Sequence, residues 1–302
     1  MAVSEMIRLA RPHQWIKNVV VILPILFARR IGDRQAWVSI LVAALAFSFA
    51  SAFAYILNDI KDIKADREHP RKKNRPLASG SVSVTAAMIE ALCFLALAAL
   101  VAYKVSNIVL FMIAVYVVLQ VSYSTYLKHT VLIDVICIAM GFVLRAVTGA
   151  VAVKAAISPW LFICMFTICL FMGFCKRFSE VVIIGDLTQA KNHRPTLISY
   201  TPELLTHLIT LSAAIAVISF LLYGLNDRTV ENFGTNYFIY TLPVVVYGVF
   251  RFAMLSMEGA YADPTDLILR DRALQATVVL WIALAVIVIK YGKDIEVWIQ
   301  NL

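Results

Sequence analysis

The chain has 302 residues, 61% of them hydrophobic and 15% charged, with a mean hydropathy of +0.82, and that composition excludes an ordinary soluble domain. A formal charge of +8 and a pI near 9.3 would suit a nucleic-acid binder. The cations, however, fall in short segments between apolar runs, which points to membrane topology and anionic ligands and to no nucleic acid.

A bilayer core takes about 20 apolar residues per helix. In chain order the apolar runs predict nine spans, at approximately 14–29, 37–57, 84–103, 107–126, 131–153, 158–176, 204–224, 236–256 and 273–291. The fold class is therefore all-α, a polytopic membrane protein. Residues 1–302 form a single integral membrane domain, with no room for a separate soluble one. Cys93, Cys137, Cys164, Cys169 and Cys175 all lie in apolar segments without a CxxC pair, so they read as small core residues and not as disulfides or zinc ligands. Arg8, Arg11 and Lys17 precede the first span as in a signal peptide. Arg29 and Arg30 follow it with no small-residue cleavage site, so the helix is expected to be retained.

Residues 11–18 read RPHQWIKN. Trp15 fits an interfacial anchor with snorkelling cations around it, and Lys17 and Asn18 either share that role or meet a phosphate. The second span runs into the only long charged passage, NDIKDIKADREHPRKKNRPLASG from Asn58 to Gly80. If the helix continues past Leu57, then Asn58, Asp59, Asp62 and Asp66, set at three- and four-residue steps, share one face. Hard oxygen ligands on one face suit Mg²⁺, which binds through one or two carboxylates and leaves other positions to water and substrate phosphates. Arg67, Arg71, Lys72, Lys73 and Arg75 follow at once, and cations beside carboxylates are what a metal-bridged diphosphate needs. The plain alternative is a solvated loop whose charges serve topology. Carboxylates at helical spacing that begin at the membrane edge favour a site.

The fourth span ends in Tyr126, Leu127 and Lys128, either a belt pair of Tyr and Lys or a phosphate ligand on the side of the acidic passage. Asp134 and Arg145 lie within the fifth span, where ionisable groups are costly and mark sites or buried partners. They are about 16 Å apart along a helix and cannot pair. Asp134 is expected near the site, and Arg145 between helices or on helix carbonyls. The sixth span runs into Lys176, Arg177 and Glu180, and its loop continues to Arg194. The last charged loop, with Asp263, Asp266, Arg270, Asp271 and Arg272, reads as a capped helix start. The histidines have no metal-ligand spacing, and nothing in the chain reads as a nucleophile with its base or as a Gly-rich phosphate loop. With nine spans, most Lys and Arg fall on the face that carries the acidic passage, which the positive-inside rule assigns to the cytoplasm.

The acidic helix end formed by Asn58, Asp59, Asp62 and Asp66, followed by NRPLASG at 74–80, resembles the UbiA superfamily of membrane prenyltransferases. The resemblance implies helices around a lipid-accessible central cavity, with Mg²⁺ and a diphosphate at the cytoplasmic mouth. Typical members carry a second acidic motif, DxxxD, after the sixth helix. This chain has Lys176, Arg177 and Glu180 there. That exchange, with RPxxWxKN at 11–18, YLKH at 126–129 and LRDRxLQ at 269–275, is similar to the decaprenyl-phosphate phosphoribosyltransferase branch. The branch implies phosphoribosyl diphosphate as donor, a polyprenyl phosphate lipid as acceptor, and a product that feeds cell-wall arabinan.

Carried onto these residues, the resemblance implies Mg²⁺ held by Asn58, Asp59, Asp62 and Asp66, with Asp62, Asp66 and Lys128 central to catalysis. Lys17, Asn18, Arg67, Lys72, Arg75, Tyr126, Lys128, Asp134, Lys176, Arg177, Glu180 and Arg194 would bind the two substrates. The setting is the inner (plasma) membrane, multi-pass, with the site facing the cytoplasm, and it leaves room for a homo-oligomer. Two rival readings stand beside it. One is prenyl transfer from a polyprenyl diphosphate to an aromatic acceptor, and the other is a transporter of a phosphorylated solute.

Overall fold

The structure, a computed structural model, describes residues 2–68, 72–184, 195–259 and 264–300. Every regular element among them is helical. Eight helices among the described residues are long and apolar enough to cross a membrane, where nine spans were expected. The difference lies at 14–29. That stretch is a 3₁₀-helix, Pro12–Val21, followed by a short α-helix, Pro24–Phe27. Pro24 has no backbone N–H to continue a helix through it, and the 3₁₀ form places side chains in rows three residues apart.

The chain divides into two compact units. The first comprises Met1–Ile25, Arg30–Cys137 and Leu144–Ala156. It opens with α1, Ala2–Ala10, and the 3₁₀-helix; α2 is Pro24–Phe27, and α3 runs from Arg34 to Glu68. Asp33 Oδ1 accepts from Ala36 N at 3.0 Å and caps the start of α3. Ala43, Ala46, Ala50, Ala54, Ser48 and Ser51 of α3 are buried, and such small side chains let neighbouring helices approach closely. At 35 residues α3 is about 52 Å long at 1.5 Å per residue, against roughly 30 Å of hydrocarbon. Its last three turns therefore run beyond the apolar stretch as continuous helix, and they carry the acidic residues.

Helix α4, Val84–Val105, starts at the Ser83 cap, and α5, Asn107–Thr125, starts one residue after α4 ends. Ser106 makes both ends: its N–H donates to Ala102 O, and its hydroxyl accepts from Val109 N. Leu9, Phe53, Ile56, Leu77, Ala87 and Ala91 form the core between α1, α3, α4 and the chain after α3. A short 3₁₀ turn, Leu127–His129, leads into α6, Ile133–Ala152.

The second unit comprises Leu26–Arg29, Ile138–Val143 and Ile157–Leu302. Helix α7, Pro159–Ile184, packs along α8, Pro202–Leu225; α9 is Asp227–Phe233, α10 Leu242–Met257, α11 Pro264–Arg270 and α12 Arg272–Gln300. Its densest packing is aromatic, with Phe220, Tyr223, Phe233 and Phe238 buried around Phe27 and Trp281. Asp271 joins two helices of this unit: it accepts from Arg251 Nη2 at 2.7 Å and caps α12 at Leu274 N, also 2.7 Å.

Candidate functional site

All three aspartates of the α3 end are occupied by cations that come from outside α3. Asp59, buried to 2% exposure, accepts from Arg11 Nη2 at 2.5 Å and Arg75 Nη1 at 3.0 Å. The same Arg75 nitrogen donates to Asp66 Oδ2 at 2.7 Å. Lys128 Nζ reaches Asp62 Oδ1 at 2.5 Å, and Asp62 Oδ2 accepts from Asn58 Nδ2 at 3.0 Å. The i, i+3, i+7 spacing of these acids puts them on one helix face, as the sequence predicts, and Tyr55, one turn earlier, lies under the Arg11 guanidinium at 5.4 Å. Three carboxylates thus face three cations. Buried charges persist when they are paired and hydrogen-bonded, and Asp59 and Asp66 meet that condition.

The folding that builds this cluster is local at each point. After α3, Arg67 Nε donates to Ala78 O at 3.2 Å and folds the chain back, and the 3₁₀ turn Lys72–Asn74 brings Arg75 to the acids. Arg8 of α1 reaches Asn74 O at 3.5 Å. Lys128 arrives on the turn that closes α5. Arg11 sits between α1 and the 3₁₀-helix in a left-handed backbone conformation, φ 50° and ψ 59°.

Other expected site residues have other surroundings. Asn18 is buried at 3% exposure, and its side-chain amide is engaged inside the chain with Ser48 and Arg145. Tyr126 is 76% exposed, and Asp134 is fully buried in the first turn of α6. Lys17 and Lys72 belong to the same unit as the acids. Lys176, Arg177 and Glu180 lie on α7, in the second unit, where buried Arg177 makes an ion pair with Glu180 one turn on. Arg194 lies outside the described residues, as does Arg71.

Sequence reasoning missed Arg11 as a member of the acidic cluster. A cation ahead of a proline and a tryptophan at a span's head is the usual look of a membrane anchor, and nothing in spacing brings it to Asp59, 48 residues away. Arg145 was expected between helices, and there it is. Its Nε donates to Asn18 Oδ1 at 2.7 Å, and its Nη2 donates to Tyr116 OH at 2.9 Å and Ser51 Oγ at 3.1 Å.

The donor set also answers whether Mg²⁺ fits here. Asn58, Asp59, Asp62 and Asp66 offer hard oxygen atoms on one face, which suits that ion. Among the described residues no three His, Cys, Asp or Glu side chains are grouped closely enough to form a ready metal cage. Oxygen donors of this kind on one face suit a metal that binds through one or two carboxylates and completes its shell with water and substrate phosphates.

The profile of the UbiA prenyltransferase family matches residues 19–258. The chain belongs to the UbiA family. Among UbiA relatives, decaprenyl-phosphate phosphoribosyltransferase of Mycobacterium tuberculosis is 33% identical over 298 residues, covering 96% of each chain. The protein of the same name from Corynebacterium glutamicum is 33% identical, over 92% of this chain and 84% of that one. The fold is that of a UbiA homolog from Archaeoglobus fulgidus bound to DMAPP and Mg²⁺, with a TM-score of 0.73 at 20% identity over 94% of this chain and 99% of that one. A second UbiA homolog, from Aeropyrum pernix, superposes with a TM-score of 0.63 at 17% identity, covering 94% of this chain and 98% of that one.

Proposed function

We propose that this UbiA-family membrane protein is a glycosyltransferase that moves 5-phosphoribose from phosphoribosyl diphosphate to a polyprenyl phosphate, decaprenyl phosphate being the natural candidate. The observation that carries the proposal is the cluster of Asp59, Asp62 and Asp66 on one α3 face with Arg11, Arg75 and Lys128 against them. Relatives named for this reaction, 33% identical along nearly the whole chain, support the choice of substrates.

Asp59, Asp62 and Asp66 would hold a divalent ion together with the donor's diphosphate, and Arg11, Arg75 and Lys128, already against those acids, would meet the phosphate oxygens. Bound there, Mg²⁺ would supply charge neutralisation to the leaving diphosphate. Asn58 orients Asp62 through its amide, and Asp66 holds Arg75 in reach of the donor. The bond between ribose C1 and the diphosphate oxygen breaks, and a new bond forms between C1 and an oxygen of the lipid phosphate. Positive charge grows on the ribose and negative charge on the diphosphate, so fixed cations at the leaving group lower the barrier. The attacking phosphate is an anion at neutral pH and needs no general base.

Lys17 would meet the lipid phosphate; the side-chain amide of its neighbour Asn18 is engaged with Ser48 and Arg145. Lys176 and Arg177 stand where typical family members carry the second acidic pair, and the donor's 5-phosphate is assigned to them; Arg67, Lys72 and Arg194 are assigned to the remaining phosphate charge. The product, a polyprenylphosphoryl 5-phosphoribose, would serve cell-wall arabinan. The site faces the cytoplasm of the inner membrane, where the donor is soluble, and the chain works as a single integral membrane domain.

The test gives purified protein labelled phosphoribosyl diphosphate, polyprenyl phosphate and Mg²⁺, and follows label into the lipid phase. A parallel reaction supplies polyprenyl diphosphate with 4-hydroxybenzoate. Label in the lipid supports phosphoribosyl transfer, whereas product only in the second reaction refutes it in favour of prenyl transfer. No product in either, with solute uptake in proteoliposomes, would leave the transporter reading.

A further inference from the structure

The 3₁₀-helix Pro12–Val21 is gripped by α6 at two points one turn apart on both helices. Arg145 of α6 holds Asn18 through the 2.7 Å bond from Nε, and Asn18 Nδ2 donates onward to Ser48 Oγ of α3 at 3.0 Å. One α-helical turn later, Gly149 lies so close to the 3₁₀-helix that a Cβ on it would fall 1.9 Å from Val21 O. The i, i+4 pair Arg145 and Gly149 thus matches the i, i+3 pair Asn18 and Val21, because each interval is one turn of its own helix type. The guanidinium is fixed in turn: Tyr116 OH and Ser51 Oγ accept from it, and it lies 4.8 Å over the Tyr116 ring and 5.5 Å over the Phe47 ring.

The other end of the same short helix is the head of the acidic cluster. Trp15 Nε1 donates to Ala10 O at 3.2 Å and fastens the helix to the end of α1. Between them Arg11 keeps a left-handed backbone that a non-glycine residue adopts at a cost, and such a conformation persists only where its surroundings fix it from both sides.

We infer that Arg145 and Gly149 are positioning residues, which hold the 3₁₀-helix in register with α6 and so keep Arg11 against Asp59. Both act through Arg11. The inference rests on the phosphoribosyl-transfer reading only for the kinetic half of its test; the structural half is independent of any substrate.

The structural half follows backbone hydrogen exchange in the full-length protein in detergent, for wild type, Gly149→Ala and Arg145→Lys. Exchange over residues 12–21 is expected to rise about tenfold or more in either variant, because local opening replaces a packed seat. Exchange in α4 should stay as in wild type. Unchanged protection of 12–21 in both variants overturns the inference. The kinetic half compares Gly149→Ala, Arg11→Ala and the double variant. Each single change is expected to raise the donor KM about tenfold, and the double variant should be no worse than Arg11→Ala, since residues that act through one contact are not additive. Additive losses would mean general damage and would overturn it. A wild-type protein inert with both donors refutes the substrate assignment, and the exchange result then decides the positioning role alone.

Discussion

Lys128 Nζ lies 2.5 Å from Asp62 Oδ1, so the end of α5 is tied to the end of α3 across 66 residues of sequence. Asp62 is the most exposed of the three paired aspartates. Asp62→Asn should lower turnover by at least about 100-fold, in the range seen when one fixed group at a developing charge is removed. The protein should remain folded and extractable. Label transfer into lipid measures the first point and size-exclusion chromatography the second; substantial turnover would remove Asp62 from the metal and diphosphate site.

Arg75 bridges two acids, and both are almost fully buried. Arg75→Ala leaves Asp66 without that partner and should cost about 3 kcal/mol, the scale for breaking a buried ion pair. Adding Asp66→Asn to Arg75→Ala should recover part of the loss, because no unpaired charge then stays buried. Thermal unfolding of the two variants in one detergent checks this, and equal Tm values would show that Asp66 finds water or another cation.

The proposed role of Lys176 in donor binding is testable apart from catalysis. Lys176→Ala should raise the donor KM about tenfold, the effect of losing roughly 1.4 kcal/mol of uniform binding, and leave kcat within about twofold. An unchanged donor KM would separate Lys176 from the 5-phosphate.

Chelation gives a further test. Excess EDTA should abolish label transfer, and Mg²⁺ should restore it, if the ion binds between the acids and the donor's phosphates; among the described residues no group of acids is set to hold a metal alone. For the same reason Tm without donor should respond weakly to Mg²⁺, and a large stabilisation by Mg²⁺ alone would point to a preformed metal site.

Asp271, just before α12, supplies a pH dependence. The hydrogen bond from Arg251, then the one from Leu274 N–H, hold its carboxyl below the ordinary carboxylate value of 3.8. A lowered value means that the folded state favours the ionised form, so the contribution is complete above 3.8 and fades as pH falls below it. The Tm gap between wild type and Asp271→Asn should therefore be widest near neutral pH and close under acid conditions. A gap independent of pH would place the effect of the substitution elsewhere.

The amino-acid sequence by itself determined that this is an all-helical membrane chain, because runs of about 20 apolar residues leave few alternatives to a spanning helix. It also determined that Asp59, Asp62 and Asp66 share a face, since spacing on a helix is a local property. Even the break at Pro24 was written in the chain, although total hydrophobicity hid it and 14–29 was read as one span. Tertiary structure alone decided which cations meet those acids. Arg75 is close in sequence, but Arg11 and Lys128 arrive from distant segments, and no period in the chain encodes a contact across 48 or 66 residues. It also decided that Asn18 turns inward to Arg145, because a side chain's partner depends on which helices pack around it, and packing is set by the whole chain.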